Sequence, residues 1–170
     1  SGKLKGVVDA ATEAAKVIGD YLDSSIKSVA QSSRTAAETL GLSVDSIDNF
    51  ATSINIASEK GKALSQEQID KVISDVADQM ATGLIPNIKE LSKSGETTGQ
   101  TLNRLTSEFD TLVNASTILG KSLAEAEQFI KGVSFESRTA FVDAAGGIDA
   151  LATKADFFAQ NFLTASEQIA

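Results

Sequence analysis

Ser24-Ser25-Ile26-Lys27 reads S-x-x-K, Ser53-Ile54-Asn55 reads S-x-N and Lys93-Ser94-Gly95 reads K-S-G. This is the chain order in which a lysine-assisted serine performs acyl transfer on penicillins. That chemistry needs the third motif on a strand of a central sheet, in a domain larger than this one, whereas the pattern on both sides of Lys93 is helical. Solvated helix surface is the reading that fits. Two carboxylate pairs, Glu125 with Glu127 and Asp75 with Asp78, have the residue types of a general acid and base. A carboxyl group serves as an acid near neutrality only where a cleft or a neighbour raises its pKa, and these pairs lie in polar helical runs. Asn114-Ala115-Ser116 is a formal glycosylation acceptor, but it falls inside a predicted helix. With no histidine and no cysteine in the chain, imidazole chemistry, disulfides and soft-ligand zinc sites are excluded. The sequence therefore nominates no catalytic, metal or cofactor-binding residue, and no enzyme activity is expected.

Function has to be sought in the elements themselves. The chain has 170 residues, 42% hydrophobic and 22% charged, enough to bury a core and too apolar for intrinsic disorder. No run of 18 apolar residues could span a bilayer. Net charge is −8, and it builds along the chain: 5 cations against 5 acids over 1–40, 5 against 8 over 41–95, and 5 against 10 over 96–170. Such a chain repels phosphate backbones, so nucleic-acid binding is not expected. It opens on Ser1-Gly2, with no charged-then-apolar leader, as a piece of a longer protein would.

Periodicity points to a mainly α protein, a long N-terminal coiled-coil-like helix followed by a helical bundle. Over residues 1–40, Leu4, Val8, Ala11, Ala15, Ile18, Leu22, Ser25, Val29, Ser32 and Ala36 step alternately four and three, a heptad seam that predicts a helix lying along a neighbour. Its alanines and serines bury little, so the seam needs a partner or a bundle. Residues 41–64 read as a linker, with Thr52, Ile54 and Ile56 suggesting a short strand or ribbon over 52–57. Residues 65–170 read as the bundle. Ser65 three before Gln68 is a capping box, and Ile69, Val72, Ile73, Val76 and Met80 form the stripe of the helix it opens, which Gly83 ends. Pro86 starts a short helix that carries Ile88 and Leu91 and stops at Gly95. Glu96, Thr97 and Thr98 are placed to cap the next, whose stripe is Leu102, Leu105, Phe109, Leu112, Val113 and Ile118.

Two further helices, SLAEAEQFIKGV and ESRTAFVDAA, precede Gly146-Gly147, where a left-handed residue can end one helix before Ile148–Ile169 builds another. Seven of the eight phenylalanines fall between 109 and 162. Aromatic side chains at helical spacing are more often core than docking surface, so Phe109, Phe129, Phe141, Phe158 and Phe162 are expected to be buried together.

From about residue 40 onward, the succession LGLSVDSIDNFATSINI, GKALSQEQIDKVISDVADQMA, GETTGQTLNRL with FDTLVNASTILG, and AAGGIDALATKADFFAQNFLTASEQ resembles tail tape-measure proteins of long-tailed bacteriophages and prophages. The pieces that carry it are Gly95-Glu96-Thr97 leading to Leu102 and Arg104-Leu105, and Gly146-Gly147-Ile148 followed by Phe157-Phe158, Phe162-Leu163 and Ser166-Glu167. The resemblance implies a structural component, from toward the parent's C-terminal end, that fills the tail-tube lumen, sets tail length and leaves ahead of the genome at ejection. An α-helix rises ~1.5 Å per residue, so the length of a helical ruler follows its residue count. The implied partners are tail-tube, tail-tip or baseplate and tail-assembly chaperone proteins and further copies of the chain. The implied location is the virion tail, with the host cytoplasm during assembly. The alternative is a helical signalling or adaptor module; against it stand the 41–57 interruption and the Gly-Gly turn, since a signalling rod keeps its heptads in register.

Overall fold

A computed structural model describes residues 2–48 and 64–163, with side chains described at 16, 17, 19–48 and 64–161. The fold is mainly helical, with no strand among the described residues. The described helices include, in chain order, α1 (Gly2–Leu40), α2 (Gln66–Leu84), α3 (Ile88–Leu91), α4 (Thr98–Ile118), α5 (Leu123–Lys131), α6 (Phe135–Ala145) and α7 (Ile148–Phe158). A π-helical turn, Ala159–Leu163, continues α7. The ribbon expected over 52–57 lies outside the described residues.

The chain divides into two compact units, 1–99 and 100–170. This differs from the sequence grouping of 1–40, 41–64 and 65–170, because α1 packs along α2, so both helices belong to one core. Of the expected seam, Leu4, Val8, Ala11, Ala15 and Ile18 have side chains outside the description. Leu22 is fully buried, and Val29 packs with Ala30 against Ile26, Val76 and Met80. The seam then departs from its expected register. Ile26 and Ser33 are buried where Ser25 and Ser32 were expected, so the inner face runs Leu22, Ile26, Val29, Ser33, Ala36 and Leu40. The steps of four and three survive with their order exchanged, which turns the large Ile26 inward and leaves Ser32 in water. In the described part of α1, the helix that covers the seam is therefore α2 of the same chain.

The capping box is present: Ser65 Oγ accepts from Gln68 N–H, and Gln68 Oε1 accepts from Ser65 N–H at 2.9 Å. α4 opens differently from its expected local capping. The Gly99 N–H donates to Asp78 Oδ1 on α2 at 2.9 Å, and Thr98 Oγ1 donates to the Asp78 carbonyl at 3.1 Å. Glu96 turns back to accept from the Lys93 N–H at 2.7 Å. A carboxylate at a helix N-terminus satisfies orphan N–H groups and opposes the helix dipole. Gly99 allows this approach: a Cβ there would sit 3.3 Å from Asp78 Oδ1 and 3.4 Å from the Ala77 Cβ.

In the second unit, Leu102, Leu105, Phe109, Leu112 and Val113 form the buried stripe of α4; Ala126 and Ile130 do so on α5, Val142 on α6, and Leu151 and Ala155 on α7. Gly146 ends α6 at φ 104°, the left-handed conformation expected there, and its N–H bonds to the Val142 and Asp143 carbonyls.

Candidate functional site, an apolar groove with a buried arginine

The residues first weighed for chemistry are placed as follows where they are described. Ser24 is exposed on α1, Lys93 is exposed in the bend after α3, and Ser53 and Asn55 lie outside the described residues. Asp75 is paired with Lys71 one turn back at 2.9 Å, and Asp78 is the cap of α4. Glu125 is exposed in the first turn of α5, where its N–H bonds to Ser122 Oγ. Asn114 stands on continuous helix within α4. No group of His, Cys, Asp or Glu able to hold a metal occurs among the described residues, and none of their helices is long and apolar enough to cross a membrane.

The expected phenylalanine core is present at one position and overturned at three. Phe109 is 3% exposed, whereas Phe129 is 57%, Phe141 59% and Phe158 38% exposed; the side chain of Phe162 lies outside the description. The helical period explains the error. On α5 the inward positions are Ala126 and Ile130, four apart, and Phe129 falls on the shoulder of that stripe. On α6 the inward positions are Arg138 and Val142, and Phe141 again falls beside them.

These exposed rings border a groove of about 760 Å³ within the second unit. Its floor comes from Leu112 and Ala115 near the end of α4 and from Leu151 and Ala155 of α7, with Leu119, just past α4, and Phe158 at the edge. The volume stays open because Ala115 and Ala155 are too short to reach across. Phe129 and Ile130 of α5 and Phe141 of α6 form the remaining wall.

Arg138 lines the groove and is only 4% exposed. Its Nε donates to the carbonyls of Val133 at 2.9 Å and Ile130 at 3.1 Å, and Nη2 donates to the Lys131 carbonyl at 3.4 Å. The guanidinium thus satisfies carbonyls at the end of α5 and in the turn after it. The Phe135 ring lies 4.8 Å and the Phe109 ring 5.4 Å from its Cζ, within cation–π range. Nη1 has no hydrogen-bond partner. Burial away from water pushes its pKa below the ordinary arginine value. Lys121 stands at the rim with its ammonium 5.3 Å from the Phe129 ring, and Lys154, also lining the groove, donates to the Ala145 carbonyl at 2.6 Å.

Beside this wall a second polar cluster fixes α6 to α4. Glu108, 1% exposed, accepts on Oε1 from Arg104 Nη1 and from Thr139 Oγ1, both at 2.7 Å, and its Oε2 has no partner. Neither this cluster nor Arg138 was anticipated from sequence. A signal for Arg138 existed only in its place: a charged residue at an inward position, four before Val142.

No known protein family, curated protein or solved structure matches the chain.

Proposed function

We propose that this chain is a structural docking protein, a component of a phage tail tape-measure protein whose helices engage other tail proteins. The observation that carries docking is the apolar groove that the described residues leave, bordered by Phe129 and Phe141, each more than half exposed. Apolar grooves between helices are how amphipathic helices are captured. The tail setting is supported by the resemblance of residues 40 to 170 to tape-measure proteins, and by the helical content a ruler requires. Its partners are then tail-tube, tail-tip and tail-assembly chaperone proteins and further copies of itself, in the virion tail or, during assembly, the host cytoplasm.

Co-precipitation with tail-tube and tail-tip proteins from the same genome, alongside light scattering after size exclusion, tests this. Self-association plus capture of a tail protein, both weakened by joint Phe129→Ser and Phe141→Ser substitution with unchanged circular dichroism, supports it. The exposed rings also favour a second reading, the signalling or adaptor module. A stable monomer that ignores every tail protein and captures a cytoplasmic partner through the same two phenylalanines would establish that reading instead.

A further inference from the structure

Residues 100–170 hold 5 cations and 9 acids, yet three of those cations, Lys121, Arg138 and Lys154, line the groove and no Asp or Glu does. Arg138 is buried and held by the carbonyls at the end of α5, so it offers nothing that an arriving group can touch. The two lysines are exposed, and neither is paired with a carboxylate among the described residues. Each stands beside one of the exposed rim rings. The Lys121 ammonium is 5.3 Å from the Phe129 ring, and the Lys154 ammonium is fixed to the carbonyl of Ala145, one helical turn past Phe141 on α6. The groove is thus an apolar surface with a positive charge near each ring, on a chain whose net charge is −8.

That pairing of charge with apolar surface bears on the occupant. A second copy set groove to groove would oppose lysine to lysine. A single alkyl chain on the alanine floor would leave Leu119, Phe129 and Phe141, each more than half exposed, largely in water. An amphipathic helix brings a stripe of large side chains with charged residues along its edges, which is the complement of such a rim. Resting on the docking reading above, we infer that the occupant is an acidic amphipathic helix of a partner protein, its apolar stripe on Phe129 and Phe141 and its flanking carboxylates beside Lys121 and Lys154.

The overall charge sharpens the test: a net −8 attracts a cationic peptide, so a preference for an acidic one has to come from the lysines at the groove. The full chain is titrated with synthetic helices of about five turns, roughly 18 residues, that carry leucines spaced four and three with either Glu or Lys at the positions flanking the stripe. At roughly 0.15 M salt, fluorescence anisotropy should find the Glu helix bound about ten-fold more tightly than the Lys helix, two exposed ion pairs set against two repulsions. Raising salt to about 1 M on the unmodified chain should erase that preference. Joint Lys121→Glu and Lys154→Glu substitution should invert it with unchanged circular dichroism, both positions being exposed. Joint Phe129→Ser and Phe141→Ser substitution should weaken both helices alike. Equal binding, a Lys preference, or a Glu preference that neither salt nor the charge reversal removes overturns the acidic partner while docking stands. Dodecanoate bound with neither helix bound makes this a lipid-type site and overturns the partner helix. A dimer that the two phenylalanine substitutions dissolve makes the occupant a second copy and also overturns it. If nothing binds and the chain stays monomeric, the docking reading itself fails.

Discussion

Arg104 and Glu108 form an ion pair that should respond asymmetrically to truncation. Glu108 is 1% exposed on its side chain and Arg104 13%, with 2.7 Å between Nη1 and Oε1. Removing one member of a buried pair costs about 3–5 kcal/mol, because the survivor stays charged and dry. After Glu108→Ala, the Arg104 stem can lift its head toward solvent, which places the loss near the lower end, about 3 kcal/mol. After Arg104→Met, Glu108 has no route to water and already has an unpartnered Oε2, which places the loss near the upper end, about 5 kcal/mol. Glu108→Gln keeps an acceptor for Thr139 Oγ1 and should cost about 1–2 kcal/mol. Urea unfolding followed by circular dichroism measures the order, and amide exchange over 102–142 assigns the transition to the second unit, since two units need not unfold together. A stability of about 5 kcal/mol is ordinary for a small unit, so Arg104→Met should leave it about half unfolded even without urea. The reasoning fails if Arg104→Met costs less than about 1 kcal/mol, or less than Glu108→Ala.

The phenylalanines should separate sharply: Phe109→Ala is expected to cost about 3–5 kcal/mol, whereas exposed Phe141→Ala stays within about 0.5 kcal/mol by the same urea titration. Asp78→Ala removes the acceptor of the Gly99 N–H and should cost about 1 kcal/mol, read as faster exchange at Gly99 and a lower midpoint. Partial desolvation raises the pKa of the exposed Asp110 carboxyl above its usual 3.8, so its ionised form opposes folding above that folded-state pKa and the penalty fades as pH falls through it. Asp110→Asn should therefore raise the melting temperature slightly at pH 7 and leave it unchanged near pH 3; a gain that persists at low pH would contradict this cause.

What was legible in the sequence was whatever is decided within a few residues. Ser65 and Gln68 meet across one helical turn, and Gly146 adopts φ 104° where a helix must stop, so both could be read from spacing. The α1 seam was readable as a period, but not in its register, because Ser25 and Ile26 are neighbours and only the position of α2 decides which turns inward. What was hidden depends on chain brought from afar. Asp78 caps a helix 21 residues on, and Glu108 meets Thr139 31 residues on, distances at which composition carries no signal. The phenylalanines misled for a related reason: a residue beside an inward stripe is a few tens of degrees from burial, and whether it is covered depends on a neighbour that here ends in alanine.

The Asp78 cap has a mechanical consequence for a chain that is pulled. Gly99 and Thr98 are fastened to Asp78 by hydrogen bonds of 2.9 and 3.1 Å, so tension entering along α2 passes directly into α4 and bypasses residues 79–97. Those residues, with α3 among them, are held by the burial of Met80, Ala81, Leu84, Ile85 and Ile88 and stay out of the line of force while the clasp holds. When the clasp shears, the 21-residue span from Asp78 to Gly99 can pay out to about 70 Å at ~3.3–3.6 Å per residue. In an optical trap that release should appear as one discrete step, and Asp78→Ala should lower the force at which it occurs without changing its length.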